Sequence, residues 1–297
     1  MQAIELSAGT IEYEDTGGTG PIVALVHGLV MGGSLWRHVV QELRTDHRCL
    51  VPTLPLGGHR SPMRADADLS PRGIGKLQAE FLERLDVHDV TLIGNDSGLF
   101  QFAAGLHPER IARLVVTSCE AFENFPAGLP GRTLSLAAQL PGGVNAAVQP
   151  LRWRALRRLP FAFGGMTKRP IPDTVTDAWL RPLLTQRGIR RDLTRYLRAG
   201  KNGDMLAAAE LLRRFDRPAL VVWARDDRVM PREHGRRLAA LLPQGRLIEV
   251  DDSSTLIPED QPGFLSHTIR QFIRDTPRES ARYAATTGEP ERSLNKE

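Results

Sequence analysis

The chain has 297 residues, 41% of them apolar and 25% charged, the make-up of an ordinary globular protein long enough to bury a large core. Its net charge of +4 comes with 35 arginines against 4 lysines, a bias that genomic base composition explains as well as function does, so the basic balance alone does not point to nucleic acid. No apolar run approaches a membrane span, and Met1-Gln2-Ala3-Ile4-Glu5 lacks a basic-then-apolar leader. Cys49 and Cys119 sit in strand-like runs without metal-ligand spacing, so the expectation is a cytoplasmic protein with reduced cysteines, no metal and no membrane partner.

Thr10-Ile11-Glu12-Tyr13-Glu14 alternates as an edge strand does, and Gly17-Gly18-Thr19-Gly20-Pro21 breaks it. Ile22-Val23-Ala24-Leu25-Val26 is a continuous apolar run, the mark of a parallel strand buried on both faces, and it ends in His27-Gly28-Leu29. A helix from Ser34 to Val40 follows. Arg48-Cys49-Leu50-Val51-Pro52 reads as the next strand, and the loop after it, Leu54 to Ser61, holds His59. Ser70 caps a helix that starts at Pro71 and carries Ile74, Leu77, Phe81 and Leu82 at helical spacing.

Val90-Thr91-Leu92-Ile93 then runs through Gly94-Asn95-Asp96-Ser97-Gly98 straight into a helix from Leu99 to Gly105. Glycines at the first and fifth positions allow a very tight turn, which thrusts Asp96 out at the C-terminal edge of the sheet. Ile111 to Val116 supplies another strand, with Glu120 just beyond it. Strands alternating with helices at these spacings predict a doubly wound, mostly parallel sheet with its site at the strands' C-terminal ends.

From 123 to 203 the rhythm changes to helical segments broken by Pro141-Gly142-Gly143, Gly164-Gly165 and Pro170-Ile171-Pro172. Between residues 151 and 200 there are 12 arginines and lysines against 3 aspartates, a charge that fits an anionic substrate, an acidic carrier protein or a plain solvated helix surface. Trp153, Phe161, Phe163, Met166 and Trp179 offer a roof for an apolar pocket. The alternating pattern resumes at Pro218 to Ala224, a strand ending in Arg225-Asp226-Asp227, and continues with a helix opening at Pro231, a strand from Arg246 to Val250 and a last helix from Pro262. From residue 276 the chain is polar without periodicity, and disorder is expected there.

The turn around Asp96 resembles the nucleophile elbow of the α/β-hydrolase superfamily, in its aspartate-using branch of haloalkane dehalogenases and epoxide hydrolases. His27-Gly28-Leu29 and Ala224-Arg225-Asp226-Asp227 are similar to the superfamily's oxyanion loop and its acid turn, with Ala224 in place of a glycine. The resemblance implies an α/β-hydrolase fold, with a core at 1–122 and 204–275 and a helical cap at 123–203. It implies Asp96 as nucleophile or general base, Asp227 as catalytic acid beside it, and the Leu29 and Ser97 amides as oxyanion donors. His27, His59, Glu120, Thr255, Trp153, Phe161 and Trp179 are the further candidates for the substrate pocket.

Where relatives carry the catalytic histidine, counting back from Glu259 and Pro262 places Thr255, and no histidine occurs from 235 to 266. Hydrolysis of an aspartyl ester needs a base to activate water, which threonine does not supply. Ser97 stands where haloalkane dehalogenases carry a tryptophan, and Tyr196 is the inserted region's single tyrosine where epoxide hydrolases use two. Two classes follow. One is an enzyme acting on a small, largely apolar molecule, hydrolase-like or an isomerase, lyase or cyclase; the other is a catalytically silent ligand-binding protein. No cofactor fingerprint or nucleic-acid motif is visible.

Overall fold

A computed structural model describes residues 1–277. Its sheet has eight strands: β1 (Gln2–Leu6), β2 (Gly9–Asp15), β3 (Ile22–Val26), β4 (Arg48–Pro52), β5 (Val90–Asp96), β6 (Ile111–Cys119), β7 (Ala219–Ala224) and β8 (Gly245–Val250), in the order β1-β2-β4-β3-β5-β6-β7-β8. The first two pairings are antiparallel and all others parallel. This is the α/β-hydrolase fold. The inner strands β3, β5, β6 and β7 are almost wholly buried, which is why each carries a mostly apolar run, with buried polar residues such as Thr91 and Arg113 in β5 and β6.

Two sequence expectations are corrected. The strand expected at the edge, within β2, lies one place inside it, because β1 pairs along its outer side. β1 escapes sequence reading because it is mostly solvent-facing and lacks an apolar run. The other correction is at the far end, where Thr276 is buried and accepts hydrogen bonds from Arg113 Nε at its carbonyl (2.8 Å) and hydroxyl (2.9 Å). The rest of the tail expected to be disordered, beyond Pro277, lies outside the described residues.

Helices α1 (Arg37–Leu43), α2 (Pro71–Arg84) and α3 (Phe100–Leu106) connect the first half of the sheet. Ser70 caps α2 by accepting the Gly73 amide at 3.0 Å. Between β6 and β7 the chain forms α4 (Gly128–Ala138), α5 (Gly143–Val148), α6 (Arg154–Arg157), α7 (Asp173–Thr185), α8 (Arg187–Ala199) and α9 (Asp204–Leu212), with no strand among them. α10 (Arg232–Leu241) joins β7 to β8, and α11 (Ile257–Asp260) and α12 (Pro262–Asp275) close the described chain.

Buried carboxylates fasten the helical insertion to the sheet's loops. Asp192 of α8 is fully buried, accepts the Met63 amide at 2.7 Å and faces His59 Nε2 at 3.4 Å. Asp260 accepts from the Thr167 hydroxyl (2.6 Å) and from the amides of Lys168 (2.8 Å), Arg169 (3.0 Å) and Ser254 (2.9 Å). Such charge-assisted bonds to buried carboxylates tie the insertion to the loops after β4 and β8.

Candidate active site

Asp96 is the last residue of β5, and its φ of 65° lies in the left-handed region that an aspartate tolerates better than most residues. The Ser97 amide turns back onto the Asn95 carbonyl at 2.9 Å, closing a three-residue turn with Asp96 at its tip. The chain has then reversed tightly enough for α3 to begin four residues later.

The loop after β3 meets this tip. The Leu29 amide donates to Asp96 Oδ2 at 3.0 Å. A Cβ on Gly28 would lie 1.9 Å from the same oxygen, so the approach requires glycine. Gly28→Ala is therefore expected to push Asp96 off the Leu29 amide and cut turnover about 100-fold or more with the fold retained, checked by steady-state assay beside circular dichroism. Of the two expected oxyanion amides, Leu29's points at the carboxylate, while Ser97's is engaged within the turn.

A second carboxyl arrives from β6. Asp96 pairs in register with Cys119, and the next amide, that of Glu120, donates to the Asp96 carbonyl at 2.9 Å. Gly98 permits this, since a Cβ there would sit 2.2 Å from the Glu120 carbonyl oxygen. Glu120 Oε1 in turn accepts the Ala127 amide at 3.1 Å.

Both side chains open into a cavity of about 460 Å³. Leu29, Val30, Asp96 and Glu120 form its floor, and the insertion contributes apolar walls that include Leu134, Val148, Phe161 and Met166. Val30 has a φ of 59°, costly for a β-branched residue, and sequence patterns gave no hint of it. Two non-glycine residues with positive φ facing one apolar hollow mark it as the candidate site.

Burial pushes the Asp96 carboxyl up to about 7, against the Leu29 amide and with a further push from Asp227. Burial and the neighbouring Asp96 push Glu120 up to about 8. Near neutral pH the cavity therefore holds an acid and a base side by side.

Asp227 has a different place from the one expected. Its Oδ1 accepts the Val229 and Met230 amides, each at 2.9 Å, and the Thr255 hydroxyl at 2.8 Å, and it does not line the cavity. Burial raises its pKa against these three donors. The second carboxyl lining the cavity is Glu120, while Asp227 lies outside the lining and adds to the upward push on Asp96.

The remaining candidates separate cleanly. Phe161, with its neighbours Phe163 and Met166, lines the cavity. Trp153 does not, pointing outward with 69% of its surface exposed, and Trp179 is buried with its indole N–H on Ser34 Oγ at 2.7 Å. His27 Nε2 accepts the Leu54 amide at 2.9 Å, which fixes the proton on Nδ1, where it is donated to the Gly28 carbonyl at 2.8 Å. Burial takes this ring down to about 4, so it is a neutral brace between the loops after β3 and β4. His59 belongs to the Asp192 joint. Thr255 is fully buried, and its carbonyl accepts Asn95 Nδ2 at 2.8 Å, so it ties the loop after β8 to the elbow and to Asp227 without reaching the cavity.

All eight histidines lie within the described residues, and none lines the cavity or hydrogen-bonds Asp96 or Asp227. Sequence reasoning underrated Glu120; the available signal was a carboxylate directly after an inner strand next to the elbow strand. Among the described residues no cluster of side chains suits a metal.

Residues 23–267 match the model of the alpha/beta hydrolase family. The chain is 30% identical over 288 residues to a cis-3-alkyl-4-alkyloxetan-2-one decarboxylase of Xanthomonas campestris pv. campestris, covering 90% of this chain and 93% of that one. It is 26% identical over 255 residues to the uncharacterized hydrolase YugF of Bacillus subtilis, covering 84% and 88%. Among solved structures, an ancestral haloalkane dehalogenase superposes with a TM-score of 0.75 at 19% identity, over 93% of this chain and 99% of the other, a likeness of fold.

Proposed function

The chain belongs to the alpha/beta hydrolase family, and from that premise we propose that it is an enzyme in which Asp96 acts directly on a small, largely apolar molecule without activating water. The observation that carries this reading is the Asp96 carboxyl facing an apolar cavity that no histidine enters. An aspartyl ester formed there has no imidazole to prepare water for its hydrolysis, so a productive cycle must release the ester in another way.

A four-membered lactone offers such a way, and the similarity to an oxetanone decarboxylase supports that choice. Asp96 as carboxylate attacks C4 of the ring; the C4–O bond breaks and its electrons leave on a new carboxylate attached to C3. Loss of carbon dioxide from C3 returns the electron pair to form the C3–C4 double bond and expels Asp96. The products are an alkene and carbon dioxide, no water is consumed, and the nucleophile is regenerated. In this sequence neutral Glu120 donates a hydrogen bond to the ring oxygen as its charge grows, and the insertion acts as a cap that keeps the cavity dry.

The reading is tested by incubating the protein with 3,4-dialkyl oxetan-2-ones, epoxides and haloalkanes in ¹⁸O-water and examining products by mass spectrometry. Turnover of the lactone to alkene, with no ¹⁸O-labelled alcohol or hydroxy acid, is expected (the carbon dioxide exchanges oxygen with water and is not diagnostic); a labelled alcohol or hydroxy acid as the product would overturn the water-free mechanism. The missing imidazole also favours a second reading, ligand binding without chemistry, and tight binding with no product from any of these compounds would select it.

A further inference from the structure

Eight large apolar side chains are exposed among the described residues, and five of them, Leu129, Leu136, Leu140, Trp153 and Phe161, lie in the insertion, each 56–71% exposed. Leu129, Leu136 and Leu140 are spaced by seven and four residues, which places them along one face of α4 and its C-terminal extension. The helix is mounted the unusual way round. Ala138 is its single buried residue and Leu134 turns toward the cavity, while Leu136 and Leu140 face away from the protein.

This face runs to the mouth of the active-site cavity, because Leu129 and Phe161 are both exposed and part of the cavity wall. Its flanks are cationic. Arg132 lies three residues after Leu129 and four before Leu136, on the same side of α4. Arg152 adjoins Trp153, and Arg198 donates to the Ala138 carbonyl at 2.6 Å, at the end of the helix. Arg154, Arg157 and Arg158 are paired with Asp173 or Asp177, but Arg132, Arg152 and Arg198 have no carboxylate partner among the described residues.

An outward apolar stripe edged by cations matches the boundary of a lipid leaflet, where leucine and tryptophan enter the acyl region and arginine meets the headgroups. We propose that α4, with Trp153 and Phe161, docks the protein peripherally on an anionic phospholipid surface and presents the cavity mouth to it. A second copy of the chain fits this face less well, since two such surfaces would bring like charges together. The expectation of no membrane partner rested on the lack of a spanning segment; no described helix is long and apolar enough to cross, and surface docking needs none. A bilayer also concentrates apolar molecules, so a docked mouth would receive them without passage through water. The docking stands apart from the chemistry at Asp96 and is read by lipid binding alone.

The test is co-sedimentation of the full chain with vesicles of phosphatidylcholine alone and of phosphatidylcholine mixed with phosphatidylserine. Binding to the mixed vesicles is expected to be strong and to weaken as salt is added, with little binding to phosphatidylcholine alone. The double variant Leu136→Ser with Leu140→Ser should lower affinity about tenfold or more, and Arg132→Glu roughly fivefold on mixed vesicles only. Both variants change exposed side chains, so an unaltered thermal midpoint serves as the control for folding. Absence of binding to the mixed vesicles, or binding that the leucine variant leaves unchanged, would overturn the proposal. So would a leucine-dependent dimer in sedimentation velocity without lipid binding, which would assign the face to a second copy. Leucine-dependent binding of an acidic carrier protein without lipid binding would equally overturn it and assign the face to that partner.

Discussion

Asp96→Asn should abolish turnover, by about 10⁴-fold or more, and at the same time make the protein more stable above neutral pH. The first effect follows because an amide cannot attack carbon and regenerate itself, and the floor's other carboxyl, Glu120, is held on the Ala127 amide and serves as the proton donor. The second follows from the same burial that tunes the group. The Asp96 pKa is raised from its ordinary value to about 7, so the folded state holds the proton more tightly than the unfolded chain does. A raised carboxyl costs stability as pH climbs from the unfolded value through the folded one, and the full cost is present above about pH 7. Asparagine removes the charge, keeps the Leu29 contact as an amide oxygen, and accepts the positive φ. Urea unfolding at pH 8 should show a gain on the order of 4 kcal/mol, and at pH 4 almost none. A variant equally inactive but less stable at pH 8 would mean that Asp96 is ionised without penalty, and the account of its environment would be wrong. Wild-type turnover in the variant would remove Asp96 from the chemistry altogether.

The same opposition of stability and function explains what sequence could and could not show. Ile22 to Val26, Val90 onward and Ile111 onward are legible because a strand buried on both faces is mostly apolar, interrupted here only by residues such as Thr91 and Arg113. The elbow is legible because only glycine tolerates the contacts at its borders, and Asp96 is then the side chain left outside. What sequence does not specify is direction. Asp227 and Glu120 both follow inner strands, and nothing local says which carboxyl turns toward a cavity. Asp227 is pulled aside by the Val229 and Met230 amides of its own turn, whereas Glu120 is delivered by a strand register with Asp96 that is a property of the sheet. Trp153 and Trp179 show the same limit, since their identity does not reveal that one faces outward and the other packs under the insertion. Val30 goes further, adopting a backbone conformation against its own preference, as residues at functional sites do when the surrounding structure enforces it.

Glu120 should govern the alkaline side of the pH–rate profile. The proposed chemistry needs Asp96 ionised and Glu120 protonated, so activity should rise as pH climbs through about 7 and fall as it passes about 8, a narrow bell whose two limbs belong to the coupled pair. Glu120→Gln keeps a neutral donor in nearly the same space but cannot titrate. It should retain much of the maximal rate, lose the alkaline limb and keep the acid one. Glu120→Ala removes the donor itself and should lower kcat about 100-fold with a smaller effect on KM, because the hydrogen bond strengthens only as charge develops on the departing oxygen. The contrast between the two variants separates a chemical role from a structural one. If Glu120 merely holds the Ala127 amide, glutamine and alanine should change stability in proportion to that lost contact and leave the shape of the profile untouched. If Glu120 instead works ionised, glutamine should be as damaging as alanine and activity should grow, not fall, above pH 8. A profile that persists unchanged in Glu120→Gln would return the acid role to Asp227, whose Oδ1 is held by the Val229 and Met230 amides while its buried Oδ2 has no hydrogen-bond partner among the described residues.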